Sequence, residues 1–307
     1  MSEIDAVVLN FSPQGLFVLN LVLGVVMFGV ALDLKLADFK TLIDLPKSAF
    51  IGLLCQFLLL PAVTFALISV INPVPSIALG MLLVAACPGG NISNFFTHVA
   101  KGNTALSVGM SAASTGCAMF LTPLNFAFWG SLYAPATALL TEIALDPFDL
   151  AKTIFLLLAL PLALGLTISH RFPDFAERMK KPMRIFSMAV FGIYVFAAWI
   201  LNFDYFLAYV GLVVIGVFIH NTLALTLGYG GAKLLRLPER DRRAVAIEVG
   251  IQNSGLGLIL IFNFFGGLGG MAIVTAWWGI WHIISGMSLA LFWSRRYEGI
   301  KDGRKDL

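Results

Sequence analysis

The stretch from Ile247 to Gly257, IEVGIQNSGLG, decides how this chain is read. It sets one carboxylate, Glu248, with Gln252, Asn253 and Ser254 inside a run otherwise apolar enough to lie in lipid. An acid at mid-membrane costs roughly 2.5 to 3.5 kcal/mol on insertion scales, so its presence points to a site for something positive. Asn and Ser side chains compete for backbone hydrogen bonds, and Gly loses the most backbone entropy, so Asn-Ser-Gly is poor helix interior. The stretch therefore predicts a broken helix carrying an ion ligand. A second polar interruption, CPGGNISN from Cys87 to Asn94, lies far upstream. Any function must account for both.

Working outward, 59% of the 307 residues are apolar and only 12% charged, with a mean hydropathy of +0.91. Such a chain has more apolar surface than one soluble core can bury, which predicts an all-α polytopic membrane protein. The net charge of +3 is a weak sign of nucleic-acid binding, and no nucleic-acid partner is expected. In a membrane the placement of the basic residues is what counts. Cys55, Cys87 and Cys117 lie in apolar runs without metal-ligand spacing and read as reduced packing residues. Glu3 and Asp5 stand where a cleavable signal peptide has its basic region, so none is expected.

A membrane-crossing helix needs about 20 apolar residues, and nine candidates appear. They run approximately over 15–34, 48–71, 76–100, 104–128, 149–170, 185–203, 205–232, 241–265 and 271–294. The charges agree with that number. Alternate connections hold Lys35, Lys40 and Lys47; Lys101; Arg171, Arg178, Lys180, Lys181 and Arg184; Lys233, Arg236, Arg240, Arg242 and Arg243; and the tail with Arg295, Arg296, Lys301, Arg304 and Lys305. The intervening ones hold only Lys152, so nineteen of the twenty basic residues fall on one side. The positive-inside rule makes that side cytoplasmic, with the N-terminus outside and the C-terminus inside. Spans 1–4 and 6–9 each have a broken helix as their third member (76–100 and 241–265) and enter from opposite sides. That is the inverted-repeat pattern of secondary transporters, within a single domain over 1–307 in which span 5 is unpaired.

At the first break Pro88 removes a donor and Gly89 and Gly90 accept unusual dihedrals. Non-helical backbone at membrane depth must face protein or a watery cavity, and Asn91, Ser93 and Asn94 offer oxygens there. In span 4, Ser107, Ser111 and Ser114 share one helical face at i, i+4 and i+7. Ser114 and the adjacent Thr115 read equally well as small hydroxyls that permit close helix packing. Carboxylate, amide, hydroxyl and carbonyl oxygens together suit a hard monovalent cation. Half-helix C-termini offer carbonyls to such a cation, while N-termini offer amides to an anion. No Lys or Arg lies deep in a span, so an anionic substrate would have to be held by N-termini and polar side chains. Gln56, before Pro61, is either interhelical glue or an ion ligand. His220 with Asn221 and His282 beside Trp277, Trp278 and Trp281 read first as hydrogen-bonded membrane histidines and second as ligands. Gly266 to Gly270, GGLGG, reads as a tight turn, since the strand and Lys of a phosphate loop are missing.

CPGGNISN, KGNTALSVGMS (Lys101 to Ser111), IEVGIQNSG, HN at His220 and Asn221, and WH at Trp281 and His282 together resemble the bile acid:sodium symporter family, in particular bacterial homologues of the apical bile acid transporter. The resemblance covers nearly the whole chain. It implies core and panel domains built from two inverted five-helix repeats whose broken helices cross, here without the first helix, and a place in a bacterial inner membrane. It implies one sodium site from Ser93, Asn94, Ser107, Ser111 and Glu248, and another from Gln56, Glu248, Gln252 and carbonyls near Val249 and Ile251, with Glu248 shared. Two sodium ions would act as coupling ions, and no cofactor is implied. The substrate, a small organic anion, would sit near Asn91, Asn253 and His282. Asn91 stands where a Thr is expected, and Ile283 where related bacterial sequences have Asn. Both changes touch the substrate pocket, so the expected substrate is bile-acid-like or a smaller carboxylate.

The expected function is thus sodium-coupled symport of an organic anion by alternating access. Proton coupling through Glu248, or efflux, is the rival within transport. An intramembrane serine hydrolase using Ser254 with His220 or His282 would need a nucleophile elbow, which is missing, and would leave Glu248 unexplained. No mid-span Lys is present to carry a retinal Schiff base, so no enzyme or light-driven pump is expected.

Overall fold

The computed structural model describes residues 3–6, 13–33, 40, 42–143, 148, 152, 155–201 and 203–302. Lys35, Arg304, Lys305 and most of 149–154, at the start of the fifth predicted stretch, lie outside them. The described residues are almost entirely helical. In chain order the main helices are α1 (Pro13–Asp33), α2 (Pro46–Ile71), α3 (Pro75–Ala86), α4 (Ile92–Val99), α5 (Thr104–Leu132), α6 (Phe155–Arg171), α7 (Pro173–Leu201), α8 (Phe203–Leu234), α9 (Glu239–Gly250), α10 (Ser254–Phe264) and α11 (Gly269–Asp302). Among the described residues four stretches are long and apolar enough to cross a membrane: Pro46–Ile71, Thr104–Leu132, Tyr209–Leu234 and Gly269–Arg296. Shorter apolar stretches include Pro75–Ala86, Phe155–Arg171 and Ser254–Phe264. This is an all-α membrane protein.

Two helix ends differ from expectation. α7 begins at Pro173, twelve positions before the stretch beginning at 185, so Arg178, Lys180, Lys181 and Arg184 ride on a helical turn with Pro182 inside it. Pro173 suits a first helical position, where its missing N–H is not needed, and the polar first turns can form helix without being apolar. α11 likewise runs on to Asp302, carrying Arg295, Arg296 and Lys301 on helix. Hydropathy finds the apolar length of a helix and misses its polar extensions. The GGLGG turn is as read: Gly266 and Gly267 have φ of +58° and +75°, which residues with a Cβ rarely adopt.

Packing divides the helices into two groups. α1 packs on α6 and α7. The remainder is built around α3, whose residues from Ser76 to Ala86 are all buried, as an all-round apolar helix requires. α11 covers α3, α8 and α10, and α4 lies against α5, α9 and α11. One link between the groups is a reciprocal amide pair between α1 and α10: Asn20 Nδ2 donates to Asn263 Oδ1 at 3.0 Å and Asn263 Nδ2 returns to Asn20 Oδ1 at 2.8 Å.

Candidate functional site

The two breaks meet. α3 ends at Ala86 and α4 starts at Ile92; α9 ends at Gly250 and α10 starts at Ser254. The unwound segments lie antiparallel and pair as one isolated bridge between Gly89 and Gln252. Gly90 N donates to Ile251 O at 2.7 Å and Asn253 N to Pro88 O at 2.9 Å. Backbone groups that an interrupted helix would leave unpaired, at heavy cost in an apolar interior, thus satisfy one another. Each break supplies the partners that the other needs.

Around this crossing the structure gathers every residue of the first predicted ion set. Ser93 Oγ donates to Glu248 Oε2 at 2.5 Å, Ser107 Oγ to the same oxygen at 3.3 Å, and Ser111 Oγ to Oε1 at 2.8 Å. Asn94 Oδ1 accepts from Ser107 Oγ at 2.8 Å and from Ser111 Oγ at 3.2 Å. Glu248 is fully buried, as are Ser93 and Ser107. Space for the carboxylate exists because Gly89 lacks a side chain: a Cβ there would collide with Glu248 Oε1. Thr97, one turn after Ser93, joins the cluster by donating to Ser107 Oγ at 3.3 Å. Its i+4 spacing from Ser93 was the available signal, and it passed unnoticed in the sequence.

The second predicted set forms an adjoining cluster. α2 makes a π-turn at Cys55–Leu59 just before Pro61, whose ring cannot donate to the preceding turn. Gln56, in that turn, donates to Cys87 O and to Gln252 Oε1, both at 2.8 Å. Gln252 Nε2 donates in turn to Val249 O at 2.6 Å and to Gln56 Oε1 at 3.2 Å. Gln56 is thereby glue between α2 and both breaks. No hydrogen bond joins Glu248 to either glutamine among the described residues, so the carboxylate is held by the hydroxyl cluster alone.

Of the three residues expected near substrate, Asn91 is exposed at the start of α4. Asn253 uses Oδ1 to cap α10 through Leu256 N at 3.0 Å. His282 is 5% exposed, and its Nδ1 has no hydrogen-bond partner among the described residues. A Cβ at Gly279 would meet Ser254, and one at Gly286 would meet Ile251 and Phe96. His282 shares that helical row at i+3 from Gly279, so it faces the breaks.

Other polar residues have local duties. Ser114 Oγ turns back to Ser111 O at 3.1 Å. His220 Nε2 lies 2.7 Å from Thr64 Oγ1, and its ring packs edge-on to Trp278 with centroids 4.6 Å apart. Ser254 makes no hydrogen bond with His220 or His282 among the described residues, so no nucleophile and base are paired. Cys55 and Cys87 are buried free thiols.

A clamp two helical turns away sets the register of the cluster. Asp241, nearly buried on α9, accepts from Ser48 Oγ of α2 at 2.6 Å and from Asn103 Nδ2 at 2.8 Å. Asn103 also caps α5 through Leu106 N at 3.2 Å, and its own N–H reaches Arg240 O at 2.9 Å. About 3.6 residues make a helical turn, so Ser48 lies two turns before Gln56, Asn103 two before Ser111 and Asp241 two before Glu248. The clamp therefore aligns three helices that carry residues of the two clusters about two turns further on. Beside it Arg243 donates to Ala100 O at 2.8 Å and lies over the Trp293 ring at 5.7 Å.

Comparison with known proteins places the chain beside sodium-dependent transporters. The family described as Sodium Bile acid symporter family matches residues 20–209. The chain is 34% identical over 305 residues to the uncharacterized sodium-dependent transporter YocS of Bacillus subtilis, covering 97% of this chain and 91% of that protein. It is 31% identical over 276 residues to the probable sodium/metabolite cotransporter BASS1, chloroplastic, of Arabidopsis thaliana, covering 89% of this chain and 66% of that protein. Against the ileal sodium/bile acid cotransporter of Oryctolagus cuniculus identity is 28% over 246 residues, 78% of this chain and 67% of that protein.

Proposed function

The chain belongs to the sodium bile acid symporter family, whose members are transporters and not enzymes, and from that premise we propose that it is a sodium-coupled symporter importing an organic anion by alternating access. The single observation that carries this reading is the buried Glu248 carboxylate, ringed by the Ser93, Ser107 and Ser111 hydroxyls where the two breaks cross. Hydroxyl hydrogens rotate, so the three groups that donate to the carboxylate can turn their lone pairs to a cation instead. Sodium would then be held by Ser93, Asn94, Ser107, Ser111 and Glu248. A second ion would use Gln56, Gln252, Glu248 and the carbonyls of Val249 and Ile251, after the Gln56–Gln252 pair opens. Relatives named as sodium-dependent transporters support sodium as the ion.

Binding a cation at Glu248 neutralises the acid and ties α4, α5 and α9 together. The organic anion then meets an ordered pocket beside Asn91, Asn253 and His282, at the N-termini of α4 and α10. Each ligand thereby raises the affinity of the other by one factor. At about 100 mV each charge moved inward gains ~2.3 kcal/mol, so two sodium ions with a monoanion are driven by voltage as well as by gradient. In this reading the nine spans of a bacterial inner-membrane protein form two inverted repeats with span 5 unpaired. α1, α6 and α7 are a panel and the other helices a core, with the N-terminus outside and the C-terminus in the cytoplasm. Asn91 and Ile283 shape the pocket for a carboxylate that need not be a bile acid.

The test is uptake into proteoliposomes, after a thermal-shift screen of organic anions in sodium against potassium buffer has found the anion that stabilises the protein more in sodium. Sodium-driven uptake, abolished by Glu248→Ala, is expected. Uptake that follows a pH gradient and ignores sodium would assign Glu248 to a proton instead.

A further inference from the structure

Asn221, in α8, is fully buried, and each end of its amide is held by a different helix. Nδ2 donates to Gly250 O at 2.8 Å, and Oδ1 accepts from Ser285 Oγ at 2.6 Å. Gly250 is the last residue of α9, lying between Val249 and Ile251 and two positions beyond Glu248. Its carbonyl has no partner within its own helix, as is true of the last carbonyls of any α-helix, and Asn221 supplies one. Ser285 follows His282 by three positions on α11 and also reaches back to His282 O at 3.3 Å. One rigid planar amide thus spans from the carbonyl segment on the ion side to the turn of α11 that bears His282.

We propose that Asn221 is a positioning residue that couples the cation to α11: turning the Val249–Ile251 carbonyls toward an ion moves Gly250 O, and Asn221 passes that movement through Ser285 to the His282 turn. The inference rests on the sodium reading above. Two features favour a coupling role over simple packing. Both bonds are short and share the fully buried Asn221 amide, in surroundings where hydrogen bonds are electrostatically stronger than in water. They also end on the segments to which the two ligands are assigned, so displacing either end biases the other, as reciprocal linkage requires.

The experiment uses the whole protein in nanodiscs with Trp129 and Trp199 replaced by Phe, which leaves Trp277, Trp278, Trp281 and Trp293, all on α11. Sodium is titrated against potassium at constant ionic strength, following tryptophan fluorescence and the binding of radioactive sodium in parallel. Sodium is expected to bind this parent and change its fluorescence. Ser285→Ala, which keeps the Asn221–Gly250 bond, should bind sodium with unchanged affinity and lose most of the fluorescence response. Asn221→Ala should lose the response and bind sodium about 5-fold or more weakly, the lower end of ordinary coupling. A Ser285→Ala variant that keeps the full parental response overturns the coupling role, and it does so even where Asn221→Ala fails to fold. A parent that binds no sodium sinks the sodium reading itself, a separate outcome.

Discussion

At the scale of the residue, the proposed function turns on one carboxylate and the space left for it. Ser93, Asn94, Ser107, Ser111 and Glu248 stood out, with Asn91, Ser114 and Thr115, because polar oxygens in an apolar chain are conspicuous, and the family resemblance implied those five as one set. Which of them touch was not legible, since they come from three helices. Ser114 shares the helical face of Ser107 and Ser111 but satisfies its hydroxyl on its own backbone, as its reading as a packing hydroxyl allows. Glu248→Gln keeps the shape but removes the charge, and sodium-dependent uptake is expected to fall to background while the protein elutes as a folded species in size-exclusion chromatography. Gly89→Ala puts a methyl against Glu248 Oε1. Overpacking of this kind costs roughly 1 to 3 kcal/mol, so apparent sodium affinity should drop by about tenfold in uptake titrations, with modest loss of thermal stability.

At the scale of the element, both breaks could be placed from Pro, Gly and Asn chemistry alone, though the second falls at Ile251–Asn253, because Asn253 caps α10 and leaves Ser254 and Gly255 in its first turn. Their mutual bridge could not, because Gly89 and Gln252 are far apart in the chain and ordinary in their surroundings. The clamp on Asp241 was equally hidden: in the sequence it is one more charge in a polar run. Asn103→Ala removes a helix cap, about 1 kcal/mol, and leaves a buried carboxylate short of a donor, a further ~1 to 3 kcal/mol. A lower unfolding temperature in detergent is expected. Sodium-dependent uptake should fall with it, because the same residue sets the register of Ser107 and Ser111 against Glu248. An unfolding temperature equal to that of the parent would contradict the clamp.

At the scale of the whole molecule, alternating access as proposed would require the α1, α6 and α7 group to move against the rest. The Asn20–Asn263 pair ties the two groups, joining α1 to α10. Asn20→Cys with Asn263→Cys, oxidised to a disulfide in a background lacking the three native cysteines, should hold this arrangement and stop uptake, and reduction should restore it. Uptake at the normal rate by the cross-linked protein would mean that these helices do not separate during the cycle.

Composition, hydropathy and charge placement determined from the sequence alone that the chain is helical and lives in lipid, because the cost of exposing apolar surface to water, or backbone polar groups to lipid, depends on residue type and not on arrangement. The two breaks and the acid at one of them were legible for the same reason. Only the tertiary structure decided that the breaks pair with each other, that Gln56 locks onto Gln252, that Asn221 bridges α9 to α11, and that Asp241 aligns three helices. Those are contacts between residues remote in the chain, whose energies depend on distances of a few ångströms that only the packed helices set.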